Sequence, residues 1–268
     1  MIDILQPAAP VQLYPCLSQA LPPRDVSEGA YRVRFARNLA ELDEVLRLRF
    51  EVFNLELGEG LDASFATGRD QDEFDLTCHH LIVEHRESGR IIGTYRLQTP
   101  QMACGPEGLY TATEYDLSVM PDEILRQSVE VGRACIAREH RGRQVLYLLW
   151  RGLALYMAHN RLRYLFGCCS LTSQDPREGH RALARLRERG AVHPDIWLPV
   201  LPDFDCGAPE GTESGEGVVL APLFEIYLRY GGKVCSPPAI DRRFKTIDFL
   251  VLLDVAALNP RAHRMFFG

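Results

Sequence analysis

Lysine is almost missing from this 268-residue chain. Only Lys233 and Lys245 occur, so arginine supplies nearly all of the fixed positive charge. No run of about eighteen consecutive apolar residues is present, and a membrane-spanning helix is therefore not expected. The N-terminus has neither a basic n-region nor an apolar h-region, which argues against secretion. The eight cysteines include no C-x-x-C pair and no His/Cys cluster with zinc spacing, so no metal site is expected. Cys168 and Cys169 are adjacent in an apolar, strand-like run and read as buried thiols in a reducing compartment, which points to the cytoplasm. A net charge of −6 speaks against nonspecific nucleic-acid binding. Internal repeats, low-complexity tracts and a clean linker are absent as well.

The 46% hydrophobic content is enough for one large domain or two small ones with a real core. Residues 1–29 carry Pro7, Pro10, Pro15, Pro22 and Pro23 without any sustained period and are expected to form an irregular leader. Residues 30–268 then form a single domain. Tyr31–Phe35 alternates as a strand. Asn38 is placed to cap a helix running to about Phe53, with Glu41 at the third position of a capping-box-like start. A long polar stretch, 54–77, follows; a loop of that length in a compact domain is usually functional or mobile. Strands are expected at 80–84, 90–97, 128–136 and 164–170, and a strongly apolar helix from Arg143 to about His159. Asp175 and Pro176 open another helix that ends before Gly190. A short helix at 223–230 and a terminal strand at 247–254 complete an α/β sheet with helices on both faces.

Several charged residues interrupt otherwise apolar patterns. Arg49 shares a helical stripe with Leu42, Val45, Leu46 and Phe53 and should point inward, where it needs a carboxylate; Asp72 and Asp75 are the candidates. Glu130 lies mid-strand on a face shared with Ser128, Gly132 and Ala134. It either lines a cleft as a general base or is a structural carboxylate paired with Arg133 or Arg96. A base is chemically useful because an amine that arrives as ammonium cannot attack a thioester. Glu130 and Arg133 are three apart and would face opposite ways on a regular strand, but Gly132 permits a bulge that re-aims one of them. Arg138, Arg141, Gly142 and Arg143 precede the apolar helix, whose free N–H groups suit a phosphate. Arg133, Arg138, Arg141, Arg143 and Arg151 fall within nineteen residues, a local positive patch suited to an acidic partner. Cys78 and His79 are strand neighbours pointing opposite ways, which disfavours a nucleophile–base pair.

The set Arg49…Phe53, Asp72…Asp75, Thr94-Tyr95-Arg96 and Glu130…Arg133 resembles the signature of N-acyltransferases that include the acyl-homoserine-lactone synthases and the ornithine-lipid synthases. The segments Pro222-Leu223-Phe224, Tyr227–Gly232, Pro238–Asp241 and Asp248–Leu253, with Cys78–Leu81 and the ending Arg264–Gly268, resemble the ornithine-lipid group more. No tryptophan lies between Phe53 and Asp72, unlike the lactone synthases. The resemblance spans about residues 31–268. It implies a GNAT-like acyl-CoA N-acyltransferase fold, a mixed central sheet flanked by helices with a C-terminal extension. The implied reaction moves a long, 3-hydroxylated acyl chain from acyl carrier protein to the α-amine of an amino acid, L-ornithine, giving lyso-ornithine lipid. Glu130 would be the base, with Arg133 and Arg96 ordering the site. Arg49, Phe53, Asp72 and Asp75 would organise the acceptor side and its lid. Arg138, Arg141, Gly142 and Arg143 would meet the donor phosphopantetheine and its carrier. Where acetyl-CoA enzymes of this fold have further glycines, this chain has Gln144 and Leu146, which fits a single phosphate better than a pyrophosphate. No bound cofactor is implied, only acyl-4'-phosphopantetheine as substrate. A cytoplasmic protein touching the inner membrane leaflet through Leu55, Leu57, Leu61 and Phe65 is expected, because the product is greasy. An acyl-homoserine-lactone synthase, an acetyl-CoA acetyltransferase and a non-catalytic membrane-surface binding protein remain as alternatives.

Overall fold

The computed structural model describes residues 14–208 and 214–268. At its centre nine strands form one mixed sheet. The spatial order is β1 (Val26–Glu28), β2 (Tyr31–Phe35), β3 (His79–His85), β4 (Ile91–Gln98), β5 (Ser128–Ile136), β6 (Tyr164–Leu171), β9 (Thr246–Asp254) and β7 (Lys233–Val234), with β8 (Ala239–Asp241) also paired to β9. Every pairing is antiparallel except that of β5 with β6. The helices are α1 (Leu39–Arg49), α2 (Ser64–Thr67), α3 (Asp122–Arg126), α4 (Arg143–Asn160), α5 (Pro176–Glu188), α6 (Pro222–Arg229) and α7 (Pro260–Phe267).

Local chemistry explains where the helices begin. The Asn38 side chain accepts the Glu41 N–H at 3.0 Å, and the Glu41 carboxylate accepts the Arg37 N–H at 2.6 Å. Asp175 accepts the Arg177 N–H at 3.0 Å, with Pro176 in the first position, where its missing N–H costs nothing. After Arg49 the chain stays helical but shifts to π geometry over Phe50–Leu57, and Gly58, at φ 72°, closes it. The expected end at Phe53 is therefore too early by one turn.

Side chains alternate across the sheet, so the pairings define two faces. One carries His80, Arg96, Gln98, Glu130, Cys168 and Asp248, and the other carries Leu81, Tyr95, Val129, Leu165 and Phe249. Helix α1 covers the first face through Arg49, which reaches Asp75 beside Arg96. Helix α4 covers the second so closely that a Cβ on Gly152 would lie 2.6 Å from a Leu81 methyl.

Three expectations need correction. Residues 1–13 of the leader lie outside the described residues. The rest is not simply irregular, since Val26–Glu28 adds a strand to the sheet edge. The 54–77 stretch contains the π segment, α2 and a 3-10 turn at Asp75–Thr77. Strand β9 is not terminal, because α7 follows it and packs on α4 through Phe266 against Trp150, ring centres 5.2 Å apart. Strands β7 and β8 were too short for a period to register.

The site is prepared between β4, β5 and β6. Thr94 faces Cys135 and Arg96 faces Gly132, so β5 holds one residue more than β4 across this interval. Arg133 takes a left-handed φ of 49° there. On its other edge β5 pairs with β6 only from Ser128 to Glu130, and beyond Glu130 the two strands part. Gly167 sits at the parting, where a Cβ would lie 2.1 Å from the Val131 carbonyl oxygen.

Candidate active site

A cavity of about 880 Å³ opens through this gap and connects the two faces of the sheet. Its polar wall includes Arg96, Tyr110, Glu130, Arg133, Ser170 and Asp248, while Leu146, Leu149, Leu223, Phe224 and Tyr227 from α4 and α6 give it an apolar wall. The helix at 143–160 is thus both core and cavity wall.

Behind the polar wall lies a chain of charge pairs. Arg49, 1% exposed, donates to Asp70 at 2.8 Å and to Asp75 at 2.5 Å. Arg96 donates to both Asp72 oxygens at 2.6 Å and to Asp75 at 3.1 Å. Arg133 donates to Asp70 through both Nε, at 3.2 Å, and Nη2. Three arginines thus meet three aspartates. Burial alone would raise the Asp70 and Asp75 carboxyls, but the neighbouring guanidiniums outweigh it and hold both below the usual range. The inward Arg49 has its carboxylates as expected, with a correction of partner: Asp70 replaces Asp72, which serves Arg96. The bulge turns Arg133 to Glu130's face, where its guanidinium lies between the Phe53 and Phe244 rings at 4.0 and 4.3 Å.

Among the described residues no arginine pairs with the Glu130 carboxylate. It is 6% exposed, and its oxygens accept the backbone N–H groups of Tyr110 at 2.9 Å and Thr111 at 2.6 Å. Burial raises its pKa despite these bonds and the nearby Arg96 charge. Two N–H bonds leave lone pairs on a carboxylate, so the group is both anchored and able to take a proton. Pairing with Arg133 or Arg96 is therefore corrected: those arginines belong to the aspartates.

The residues expected at the donor end separate. Arg141, Gly142 and Arg143 line the cavity, and α4 starts at Gly142 without a side-chain cap. Arg141 is paired with Glu56 of the π segment, at 2.7 Å through Nη2. Arg138 lies outside the cavity, in a smaller pocket of about 420 Å³ beside Glu51 and Glu56. His79 and His80 are structural. His79 meets the Tyr156 hydroxyl at 2.9 Å and the Cys16 carbonyl at 2.7 Å, and His80 meets the Tyr14 hydroxyl at 3.0 Å.

Sequence reasoning missed a second group of acids. Glu114, Cys168 and Asp248 bring their ligating atoms within 4.8 Å of one another, and the carboxyls of Glu114 and Asp248 are buried. Burial pushes Asp248 up to about 6, with Asp241 adding to it, and pushes Glu114 well above the usual carboxylate range. An acid at an inward position of the apolar run 247–253 was the available signal.

A parallel β5–β6 pair that splays around a buried carboxylate, with a helix N-terminus at the mouth, fits the family description "Acetyltransferase (GNAT) domain", which matches residues 48–151. The chain is an acyltransferase of the GNAT fold. Proteins named L-ornithine N(alpha)-acyltransferase from Rhodobacter capsulatus and Brucella abortus are 31% and 30% identical to it. The first match covers 89% of this chain and 95% of the relative, and the second covers 87% of each. The chain belongs to this L-ornithine N(alpha)-acyltransferase family. Among solved structures, the AHL synthase LasI is similar with a TM-score of 0.47 at 13% identity, over 90% of this chain and 96% of that one.

Proposed function

We propose that this protein transfers a long, 3-hydroxylated acyl chain from the phosphopantetheine of acyl carrier protein to the α-amine of L-ornithine, giving lyso-ornithine lipid. The observation that carries the reading is Glu130: a buried carboxylate with a raised pKa, ion-paired with no arginine among the described residues, on the polar wall of a cavity whose opposite wall is apolar. The names of the relatives support ornithine as acceptor.

Glu130 accepts a proton from the incoming ammonium, and the freed amine attacks the thioester carbonyl. The C–N bond forms, the C–S bond breaks, and the departing thiolate takes the proton that the attacking nitrogen sheds, which leaves amide and carrier thiol, while Glu130 passes its proton to solvent. Arg96 and Arg133 hold the wall behind Glu130 through their aspartates, with Arg49 at the centre of the network and Phe53 packed on Arg133. The start of α4 at Gly142, with Arg143 beside it, suits the pantetheine phosphate. Arg138 and Arg143 have no ion-pair partner among the described residues, which suits an acidic carrier surface.

No helix among the described residues is long and apolar enough to cross a membrane. The protein works in the cytoplasm and touches the inner leaflet through Leu55, Leu57 and Phe65, all exposed; Leu61 is only half-exposed and contributes less. Purified protein supplied with 3-hydroxyacyl carrier protein and ornithine should give N-acyl-ornithine by mass spectrometry, with matching thiol release. A lactone formed with S-adenosylmethionine, or no amide from either acyl carrier protein or acyl-CoA, would overturn the proposal.

A further inference from the structure

Glu114 and Asp248 stand apart from every other buried aspartate or glutamate around this cavity. Asp70, Asp72 and Asp75 each have an arginine, and Glu130 has two backbone N–H groups. Glu114 Oε1, Asp248 Oδ1 and Thr246 Oγ1 are enclosed and have no hydrogen-bond partner within 3.5 Å among the described residues, although Ser170, Thr246 and Glu114 stand close enough to the Asp248 carboxyl to favour its charged form. Glu114 is 0% exposed, and Asp248 and Thr246 are each 3% exposed. Asp248, Thr246 and Cys168 nevertheless form part of the wall of the same cavity as Glu130. Tyr110 ties the two places together, since its backbone N–H donates to Glu130 and its hydroxyl donates to Asp241, at 2.9 Å in each case. Asp241 is the β8 residue paired with Thr246.

We propose that Glu114, Asp248 and Thr246 form the seat for the distal ammonium of a diamino-acid acceptor, so that this pocket selects amino acids whose side chain ends in a primary amine. The inference rests on acyl transfer to an amino acid, as proposed above, and adds the residues that choose which one. An ammonium offers three donors from a compact point charge, which matches three acceptors brought together from two places, Thr246 and Asp248 on β9 and Glu114 at the end of the 110–113 turn; a planar guanidinium fork does not. A buried carboxyl pair without a cation is costly, and burial accordingly holds a proton on Glu114 in the free protein. The arriving ammonium replaces that proton and satisfies the acceptors. A divalent metal suits the group less well. Cys168 donates to Glu114 at 3.6 Å, and burial near these carboxylates pushes its thiol up, so it stays a thiol rather than a thiolate ligand.

The test compares L-ornithine with L-norvaline, which keeps the carbon chain and lacks the distal amine. Calorimetric titration of the wild type should show ornithine binding at least about a hundredfold tighter, because a site built for a polar group rejects the analogue that leaves it unpaired. Asp248→Asn and Glu114→Gln should each cut the ornithine-to-norvaline ratio of kcat/KM by about tenfold or more, chiefly through KM for ornithine. Equal wild-type affinity for the two amino acids overturns the seat. So does a parallel loss for both in the variants, which marks a structural role, or a preference abolished by a chelator, which marks a metal. The calorimetry needs no turnover. Tight ornithine binding without amide formation would sink the acyl-transfer reading and support the seat, whereas acylation of both amino acids with equal efficiency would do the reverse.

Discussion

Glu130→Gln separates the chemistry of this carboxylate from its structural duty, and the geometry sets the size of each effect. The carboxylate accepts backbone N–H groups from Tyr110 and Thr111. Glutamine has one acceptor oxygen, so one of those N–H groups would face an NH2 donor. Leaving a buried donor unsatisfied costs about 1–3 kcal/mol. Removal of a buried charge offsets part of that loss, since burial is what raises the Glu130 pKa. The variant should therefore lose about 1 kcal/mol and stay folded, given a usual domain stability of about 5–15 kcal/mol. Loss of a general base slows turnover by about 10² to 10⁴-fold, which is about 3–5 kcal/mol on the barrier. Chemistry should suffer more than folding. Thiol release from acyl carrier protein, followed at pH 7 and again near pH 9, gives the second discriminator. At higher pH more of the acceptor arrives as free amine, so the deficit of the variant should shrink. Activity within about threefold of wild type at neutral pH, or a deficit that stays constant as pH rises, would refute Glu130 as the base.

Asp70→Asn should destabilise the protein by about 3–5 kcal/mol in denaturant unfolding, because it strips buried Arg49 and Arg133 of a shared partner; a loss under about 1 kcal/mol would show the network to be dispensable. Asp248, raised to about 6, contributes stability that is present below its unfolded pKa and lost as pH rises through 6. Asp70 and Asp75, held low, contribute stability lost only as pH falls through their own depressed values. The free protein should therefore melt higher at pH 5 than at pH 7.5, with Asp248 contributing about 1.4 kcal/mol to that difference, and Asp248→Asn should flatten that slope. Arg143→Glu should raise KM for acyl carrier protein far more than for a short acyl-pantetheine, with the difference fading in salt. Arg141→Glu should act less selectively, because it also breaks the pair with Glu56. Leu55 and Phe65 changed together to serine should abolish flotation with vesicles at low salt; a wild type that never floats, even loaded with product, removes the membrane contact.

Much of the fold was legible because it rests on local rules. Alternation marks β2, apolar runs mark β6 and β9, side-chain caps at Asn38 and Asp175 mark helix starts, and an arginine on the apolar stripe of α1 announces a buried pair. What stayed hidden depends on chain that has no period. Asp70 and Glu114 both sit in irregular stretches, where nothing in the order of residues says which way a side chain points. The π shift after Arg49 is equally silent, because a helix that gains one residue per turn keeps the composition of one that does not.

Sequence alone determined that Glu130 would lie on a sheet face among small neighbours and that Gly132 would tolerate a bulge beside it. Only the tertiary structure decided that the bulge falls at Arg133, that β5 and β6 part after Glu130, and that the gap becomes a cavity with an acid at each of two places. The reason is physical. Hydrogen-bond ladders and caps are settled between residues close in the chain or repeated at a fixed period. A charge is settled by whichever group the finished packing brings within reach, and for Arg133, Glu130 and Asp248 those groups come from distant segments.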